Sequence, residues 1–285
     1  MEYIKFKAIL NETIFEKSKV DLLVKVAEYP VRYVGLFRPT KPKAKILQNL
    51  LQSYEIRFGD AFEKVIEEYF KLKGCTLLPK RYILENGDVL NIDQCFKYKD
   101  KVYFIEQKVR DDHDSTKKRG QIQNFEKKLD LMLSKYEEKN LVGIVYFIDS
   151  DFGGKNKKYY TAELIKMSAD YNIETQIFYG KPLFEYFGFT DIWDEILTYL
   201  KEWKIEIPDL PEINFDLDAE DTFNEIKDLK PAIFRKLLNN DDVYEQIVKT
   251  LFPENKTLKL LLTHFENQET TIYKTLAEKL KQRIK

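Results

Sequence analysis

Three ionisable residues, Asp93, Glu106 and Lys108, lie in a segment whose pattern predicts a β-hairpin. Two runs rich in valine, isoleucine, phenylalanine and tyrosine flank a short polar break at Lys99-Asp100. If these two residues form the turn, Asp93 and Glu106 are direct cross-strand partners, with Cβ atoms about 4.5–5.5 Å apart. Because side chains alternate between the faces of a strand, Lys108 lies on the face of Glu106. The pattern therefore predicts two carboxylates and an ammonium on one patch of sheet.

Two opposed carboxylates favour a bound cation, because like charges placed opposite each other destabilise a hairpin. Mg²⁺ binds a few carboxylate oxygens and keeps several waters, so Asp93, Glu106 and the backbone carbonyl of Gln107 are candidate ligands. Such a cation lowers the pKa of a bound water and neutralises charge that develops on a phosphate. Lys108 is then placed to orient the attacking water and to contact the scissile phosphate. The alternative is a surface ion pair between Glu106 and Lys108, with Asp93 unrelated to it.

The neighbouring segments favour the catalytic interpretation. Apolar residues flank the charged ones, and a sharply polar segment begins directly after Val109. Upstream, residues 60–72 have the apolar stripe of an amphipathic helix. This helix bears Glu63, which is either a further acid of the site or the second half of a capping box that begins at Asp60.

The order of predicted elements between residues 60 and 180 is helix, strands, helix, buried strand, helix, strand. This order is typical of an α/β core. The wholly apolar run at residues 141–148 predicts a central strand covered on both faces. We expect three regions: a helical N-terminal region 1–58, a core 59–205 and, after a boundary rich in proline and acidic residues, a helical C-terminal subdomain 216–285.

Composition narrows the class of protein. The 285 residues are 44% hydrophobic, which is enough for a buried core, and the net charge of −1 does not by itself indicate a nucleic-acid partner. Residues 101–135, however, contain nine Lys or Arg against six Asp or Glu. With only two cysteines and two histidines, the chain has few residues for a zinc site or a histidine-based catalytic triad. The low number of cysteines also suits a reducing cytoplasm. No apolar run approaches the roughly 20 residues that span a bilayer, and the first residues lack the pattern of a signal peptide.

Two basic segments are candidates for DNA contact. Their candidate residues are Lys117, Lys118, Arg119, Gln121, Lys155 and Lys157. The first segment ends at a predicted helix start, where backbone N–H groups favour phosphate. Arg119 and Gln121 have side chains of the kind that read guanine and adenine, although phosphate contact is favoured over base reading and a solvated turn is the alternative. The second segment lacks the Gly-Lys-Ser/Thr ending of a P-loop, so we expect no nucleotide cofactor.

The acidic residues between the hairpin and this helix have a simpler interpretation. Asp111, Asp112 and Asp114 are expected to cap the helix, to pair with the following lysines or to face DNA, rather than to bind metal. His113 is expected to be a hydrogen-bonded loop residue, with a general base as the alternative.

The arrangement resembles the PD-(D/E)xK nuclease superfamily, and type II restriction endonucleases in particular. The matching residues are Ile92-Asp93, twelve intervening positions and then Glu106-Gln107-Lys108, with Ile92 where the motif name has proline. Glu63 lies on the upstream helix, where such families often carry a further acid. The resemblance covers roughly residues 59–180. It implies an α/β fold with a mixed sheet flanked by helices, to which helical N- and C-terminal additions are attached here.

The resemblance further implies Mg²⁺-dependent hydrolysis of phosphodiester bonds in double-stranded DNA. A homodimer is the expected assembly, because symmetric DNA sites are usually met by two-fold dimers. Two alternatives stay open: a nuclease of the same superfamily that acts on branched or damaged DNA or on RNA, and a non-catalytic DNA-binding or partner-binding protein with a decayed site. The use of one or two metal ions also stays open at this point.

Overall fold

The computed structural model describes residues 1–84, 86–112, 114–151 and 154–284. They form two compact units. The first consists of Met1–Leu10 and Gly59–Glu206, and the second of Asn11–Phe58 and Ile207–Lys285. The helical N-terminal and C-terminal regions, which the sequence analysis treats as separate, thus both contribute to the second unit.

The helices and strands follow one another along the chain with these bounds: α1 Tyr3–Ile14, α2 Ser18–Glu28, α3 Val31–Val34, α4 Pro42–Leu72, β1 Thr76–Leu77, β2 Arg81–Ile83, β3 Val89–Asn91, β4 Gln94–Tyr98, β5 Lys101–Lys108, α5 Ser115–Leu133, a 3-10 turn Glu138–Asn140, β6 Leu141–Phe147, α6 Lys157–Tyr171, β7 Glu174–Tyr179, α7 Pro182–Phe187, α8 Thr190–Glu206, α9 Ala219–Ile226, α10 Pro231–Asn239, α11 Asp241–Val243, a π-helical turn Tyr244–Val248, α12 Lys249–Leu251, α13 Lys256–Glu266 and α14 Thr271–Arg283.

The first unit is built on a five-stranded mixed sheet with the strand order β1-β4-β5-β6-β7. β4 and β5 are antiparallel, whereas β6 runs parallel to both β5 and β7. All seven residues of β6 are buried, as expected for a strand covered on both faces. The predicted α/β class, a mixed sheet flanked by helices, is therefore confirmed.

Aromatic contacts place one helix against each face of the sheet. On one face Phe96 packs against Phe70 of α4, with ring centroids 4.5 Å apart. On the other face Phe104 stacks on Phe125 of α5, at 5.1 Å. Cys95 lies opposite Phe104 in the hairpin, so both side chains are on the face that α5 covers. Because side chains alternate along a strand, Asp93, Glu106 and Lys108 are directed to this same face.

The hairpin has the predicted turn and register. Pairs run from Gln94 opposite Ile105 to Tyr98 opposite Lys101, and Lys99, the first turn residue, has a left-handed φ of 54°. The predicted first strand is nevertheless two strands, because pairing stops after β3 and resumes at Gln94. β3 pairs with β2 in a separate two-stranded sheet. The interruption falls at Ile92 and Asp93.

The alternative prediction for Glu63, a capping box with Asp60, is wrong. Helix α4 is continuous over 31 residues, so Gly59 and Asp60 lie in its interior rather than at its start. A glycine inside a helix costs roughly 1 kcal/mol, which the buried stripe of the helix outweighs. The helix ends at Leu72, and Gly74 follows it with a left-handed φ of +83° that only glycine adopts readily.

The second unit is all-helical among its described residues. Its core is formed by apolar side chains of α2, the first half of α4 and α9 to α14. Across the residues that the structure describes in both units, no helix is long and apolar enough to cross a membrane.

Candidate active site

Asp93 lies in the interruption between β3 and β4, which directs its carboxylate into the first unit. The N–H of Ile92 donates to the carbonyl of Lys80 at 2.8 Å, and the ammonium of Lys80 donates to the carbonyl of Asp93 at 3.1 Å. Ile92 itself is buried in the apolar core below the sheet. These contacts hold the backbone outside the ladder, so Asp93 precedes the first strand pair instead of forming one with Glu106.

The carboxylate of Asp93 binds β5 through a backbone amide. Because β4 begins only at Gln94, no strand partner faces the N–H of Gln107, and Asp93 Oδ2 accepts from it at 2.7 Å. The same oxygen lies 3.3 Å from the ammonium of Lys108. Asp93 is only 8% exposed. The predicted neighbours Asp93 and Glu106 are thus brought together, by a side-chain to backbone bond rather than by direct cross-strand pairing.

Glu106 is buried in the same patch and binds two ammonium groups. Its Oε1 lies 2.8 Å from the Nζ of Lys108 and accepts from the amide of Asn124 at 3.4 Å. Its Oε2 forms an ion pair with the Nζ of Lys128. The carboxylate is therefore fully engaged in ion pairs and hydrogen bonds.

Lys108 lies where three oxygen atoms converge. Its ammonium is 2.8 Å from Glu106 Oε1, 2.8 Å from the carbonyl oxygen of Gln107 and 3.3 Å from Asp93 Oδ2. Burial lowers the pKa of Lys108, but the two neighbouring carboxylates outweigh it, so the pKa is raised above its ordinary value. Lys108 consequently carries its charge in this structure.

The same three oxygens are the predicted ligands of the cation. They already surround a positive charge, and two carboxylate oxygens with a backbone carbonyl are a donor set that a hard divalent cation accepts. This set therefore fits Mg²⁺ or a similar ion. Among the described residues there is no group of three or more His, Cys, Asp or Glu side chains that would hold a metal, so a cation here depends on the carbonyl of Gln107 and on water.

The side chain of Gln107 itself lies on the opposite face of β5, next to Tyr146 in the ladder. Its Oε1 is buried and has no hydrogen-bond partner in the described part of the chain. Only the backbone of Gln107 therefore contributes to the site.

Glu63 projects from α4 near these groups. Burial, followed by the negative charge of Asp93, raises the pKa of Glu63 from 4.5 to about 7. Its backbone carbonyl accepts from the side-chain amide of Gln94 at 2.7 Å, which joins α4 to the first residue of β4. Glu63 therefore lies close enough to Asp93 to feel its charge, and its position in the interior of α4 excludes a capping role.

Two further residues, Lys128 and Asn124, contact Glu106 in the site, and neither was predicted from the sequence. They lie one turn apart on α5, and Lys128 is only 4% exposed. A signal was present in the sequence, because Lys128 follows Phe125 by three residues and precedes Met132 by four, on the apolar side of the helix. A lysine in such a position is buried only if an acid pairs with it.

The two basic segments lie side by side at the starts of α5 and α6. The ammonium of Lys118 is 4.7 Å from the ring centroid of Tyr159, and Lys157 is 5.6 Å from that of Tyr179. Gln121 accepts from the buried hydroxyl of Tyr160 at 2.7 Å, which joins the two helices. The candidate DNA-contact residues that are exposed are Lys117, Arg119, Lys155 and Lys157.

The acids before α5 have structural roles in this region. Asp114 caps α5 by accepting from the N–H groups of Thr116 and Lys117. Asp111 is 1% exposed and accepts from the backbone and side chain of Asn156 and from the hydroxyl of Tyr179. His113 lies outside the described residues.

Together the fold and the site define an α/β domain with a mixed sheet, in which two acids and a lysine meet where the ladder of the hairpin stops. Residues 79–204 match the model of the family described as the type II restriction endonuclease HinfI. This match supports a type II restriction endonuclease, a site-specific deoxyribonuclease, although it covers less than half of the chain. The matched segment contains Asp93, Glu106, Lys108 and Lys128 but not Glu63. The family implies a DNA substrate and a divalent cation as cofactor.

No curated protein and no solved structure gave a significant match to the chain.

Proposed function

We propose that this endonuclease is Mg²⁺-dependent and cuts double-stranded DNA with a site of the PD-(D/E)xK type. Asp93, Glu106 and the backbone carbonyl of Gln107 hold the cation, Lys108 acts on the attacking water and the scissile phosphate, and Glu63 is an outer acid. The observation that carries the proposal is the convergence of three ligand oxygens on one positive charge, between 2.8 and 3.3 Å from the ammonium of Lys108.

Each side chain has a distinct task in this proposal. When bound, the cation supplies Lewis acidity and positive charge next to the scissile phosphate. Lys108 keeps its proton, so it donates hydrogen bonds to a phosphate oxygen and orients water. Glu63, with a pKa of about 7, is able to accept a proton near neutral pH. The bond from the Gln107 amide fixes Asp93, so the ligand set is preorganised.

The basic surface formed by Lys117, Lys118, Arg119, Lys155 and Lys157, with Gln121 beside it, is proposed to bind the DNA backbone. The start of α6 adds backbone N–H groups that favour phosphate, whereas those at the start of α5 are capped by Asp114. The side-chain oxygen of Gln121 accepts from Tyr160, which fixes Gln121 at the edge of this surface. Replacement of the exposed basic residues is expected to weaken binding to all sequences alike and to reduce its dependence on salt.

The active enzyme is proposed to be a homodimer, because a two-fold dimer matches a symmetric DNA site. Sedimentation of the full chain with a duplex that carries its recognition site tests this. Two chains on each duplex are expected, and a single chain that cuts both strands would contradict the assembly.

The decisive experiment is digestion of unmethylated phage and plasmid DNA by the full chain, with Mg²⁺ or with EDTA. We expect discrete fragments with Mg²⁺, none with EDTA, and none from Asp93→Asn or Glu106→Gln. The control is Lys97→Met, which replaces an exposed lysine on β4 and should cut normally. Equal cutting in EDTA would overturn the cation, and preferential cutting of branched DNA would overturn the duplex substrate.

A further inference from the structure

A second buried lysine, Lys128, contacts both proposed acidic ligands of the cation. Its ammonium forms an ion pair with Glu106 Oε2 and lies 3.5 Å from Asp93 Oδ1. The side chain comes from α5, a separate element from the hairpin that carries the acids. Lys128 is buried to nearly the same extent as Glu106. The two charges therefore compensate each other away from water.

The four carboxylate oxygens are divided between two positive charges. Asp93 Oδ2 and Glu106 Oε1 face Lys108 and the carbonyl of Gln107. The other two oxygens, Asp93 Oδ1 and Glu106 Oε2, face Lys128. Each acid thus presents one oxygen to each side, and within the described part of the chain Lys128 contacts no backbone carbonyl.

Lys128 is held in this position by the packing of its helix. Phe125, one turn earlier, stacks on Phe104 of β5, and Leu129 and Met132 are fully buried. Asn124, on the turn before Lys128, donates to the other oxygen of Glu106, Oε1. Withdrawal of the ammonium would leave a buried charge without its partners, which costs several kcal/mol. Lys128 is therefore a permanent member of the site.

We propose that the site binds a single divalent cation, and that the ammonium of Lys128 takes the place that a second cation would occupy. A second ion shared by Asp93 and Glu106 would need the two oxygens that Lys128 engages, and it would lie against a fixed positive charge. Lys108 differs, because its side chain is 34% exposed and water is able to solvate its ammonium when a cation takes the oxygens on that side, whereas the side chain of Lys128 is only 5% exposed. The inference rests on the proposed function, because it takes Asp93 and Glu106 as cation ligands. It specifies how many ions they hold.

The test is equilibrium dialysis of Mn²⁺ against the full chain without DNA, with the bound ions counted per chain. The wild type is expected to bind one ion. Lys128→Met, which keeps the length of the side chain and removes its charge, is expected to bind two. The matched control is Lys127→Met, which replaces the exposed neighbour on the same helix and should still bind one.

The outcomes separate this inference from the proposed function. Two ions bound to the wild type overturn the inference and leave the cation site intact. One ion bound to both the wild type and Lys128→Met also overturns it, because Lys128 would then exclude nothing. No ion bound to the wild type, together with no Mg²⁺ requirement for cutting, overturns both.

A second variant covers the case in which Lys128→Met does not fold. Lys128→Gln keeps a hydrogen-bond donor in the same place, and Mn²⁺ is expected to raise its thermal midpoint more than that of the wild type, since a second ion would bind only the variant. Equal shifts in the two proteins would contradict the inference.

Discussion

At the scale of residues, the site is an arrangement of two acids and two lysines whose formal charges cancel. Asp93 and Glu106 are each within ion-pair distance of both Lys108 and Lys128. The two lysines differ in surroundings, because Lys128 is enclosed and Lys108 is partly exposed. The exposed lysine is the one that a phosphate group from solvent is able to reach, which supports giving Lys108 the chemical task.

Replacement of Lys108 by methionine is expected to abolish cleavage and to leave DNA binding within a few-fold of the wild type. The ammonium is the group proposed to contact the reacting phosphate, whereas most binding energy comes from contacts to the DNA backbone elsewhere. Gel-shift titration with Ca²⁺ in place of Mg²⁺ measures binding, and the plasmid digest measures cutting. Wild-type cutting rates in the variant would contradict the role of Lys108.

The pKa of Glu63 predicts a dependence of stability on pH. Since that pKa rises from 4.5 to about 7 on folding, the folded state binds more protons than the unfolded state between these values. The free energy of unfolding should therefore fall as pH increases from about 4.5 to 7, by on the order of 1–2 kcal/mol once solvent screening is allowed for. Glu63→Gln should lack this contribution.

Urea unfolding in EDTA, at several pH values, measures the effect of Glu63 without a bound cation. Glu55→Gln is the matched control, because Glu55 is an exposed acid on the same helix. An identical pH profile for the wild type and Glu63→Gln would show that burial does not perturb Glu63.

Two tyrosines of the sheet, the buried Tyr146 and the half-buried Tyr179, predict opposite effects of the same substitution. The hydroxyl of Tyr146 has no hydrogen-bond partner in the described part of the structure, whereas that of Tyr179 donates to the buried carboxylate of Asp111 at 2.9 Å. An unsatisfied buried hydroxyl costs about 1–3 kcal/mol. Tyr146→Phe is therefore expected to leave the thermal midpoint unchanged or raise it, and Tyr179→Phe to lower it. The reverse order in calorimetry would contradict the assignment.

The site residues that could be predicted from the sequence are those that lie close together within one hairpin. Glu106 and Lys108 are two positions apart on one strand, and Asp93 is joined to them by a two-residue turn. Lys128 could not be placed in the same way. Its contact with Glu106 depends on how α5 docks on the sheet, which is a property of packing between distant segments.

At the scale of elements, a strand interruption and a close helix contact position these residues. The ladder between β4 and β5 begins at Gln94, one residue after Asp93. The carboxylate of Asp93 is therefore able to accept from the backbone amide of Gln107 in β5. On the same face, α5 approaches the sheet at Gly143 of β6. A Cβ atom there would lie 2.9 Å from carbon atoms of both Phe104 and Phe125. The absence of a side chain at residue 143 thus sets how closely α5 can carry Lys128 to the acids.

Gly143→Ala is expected to destabilise the protein by about 1–3 kcal/mol and to reduce cleavage, because the added methyl group overpacks the contact between sheet and helix. Gly59→Ala is the matched control. A Cβ at residue 59 would meet only a carbon of Val109 at 3.6 Å, and alanine suits the interior of α4 better than glycine. Urea unfolding of both variants checks the prediction, and a neutral Gly143→Ala would contradict it.

The elements that could be predicted are those with one clear periodicity. The apolar run that became β6 and the turn of the hairpin are examples. The full length of α4 was missed, because Gly59-Asp60 resembles the start of a helix. The amphipathic helix was therefore expected to begin at residue 60, whereas α4 begins at Pro42. The division of residues 89–98 between two sheets was also missed, since every residue type there suits a strand.

At the scale of the whole molecule, the chain is divided into units that do not follow the order of the sequence. The first ten residues join the unit that contains the sheet, and residues 11–58 join the C-terminal helices. Composition and turn signals mark where chain segments end, but not which distant segments share a core. The grouping of residues 11–58 with the C-terminal helices could therefore not be predicted from the sequence, although the class of the sheet domain could.

Because the two lysines and the two acids of the site neutralise one another, they predict how the thermal stability of the protein depends on cations. EDTA is expected to leave the thermal midpoint of the protein unchanged, because Lys108 and Lys128 already neutralise the two acids. Added Mg²⁺ should raise the midpoint in proportion to its binding. Scanning calorimetry at a series of Mg²⁺ concentrations measures both. Unfolding or aggregation in EDTA would show that the cation is part of the folded structure.

A protein that supplies its own counter-charges does not need a metal ion in order to fold. This separates it from small metal-binding domains, in which the ion and the fold appear together. In the proposed enzyme, the lysines of this chain would complete the interior during folding, and the cation would bind afterwards at a site that is already shaped. Folding and activation are therefore separate events in the life of the molecule, and the supply of cations governs only the second.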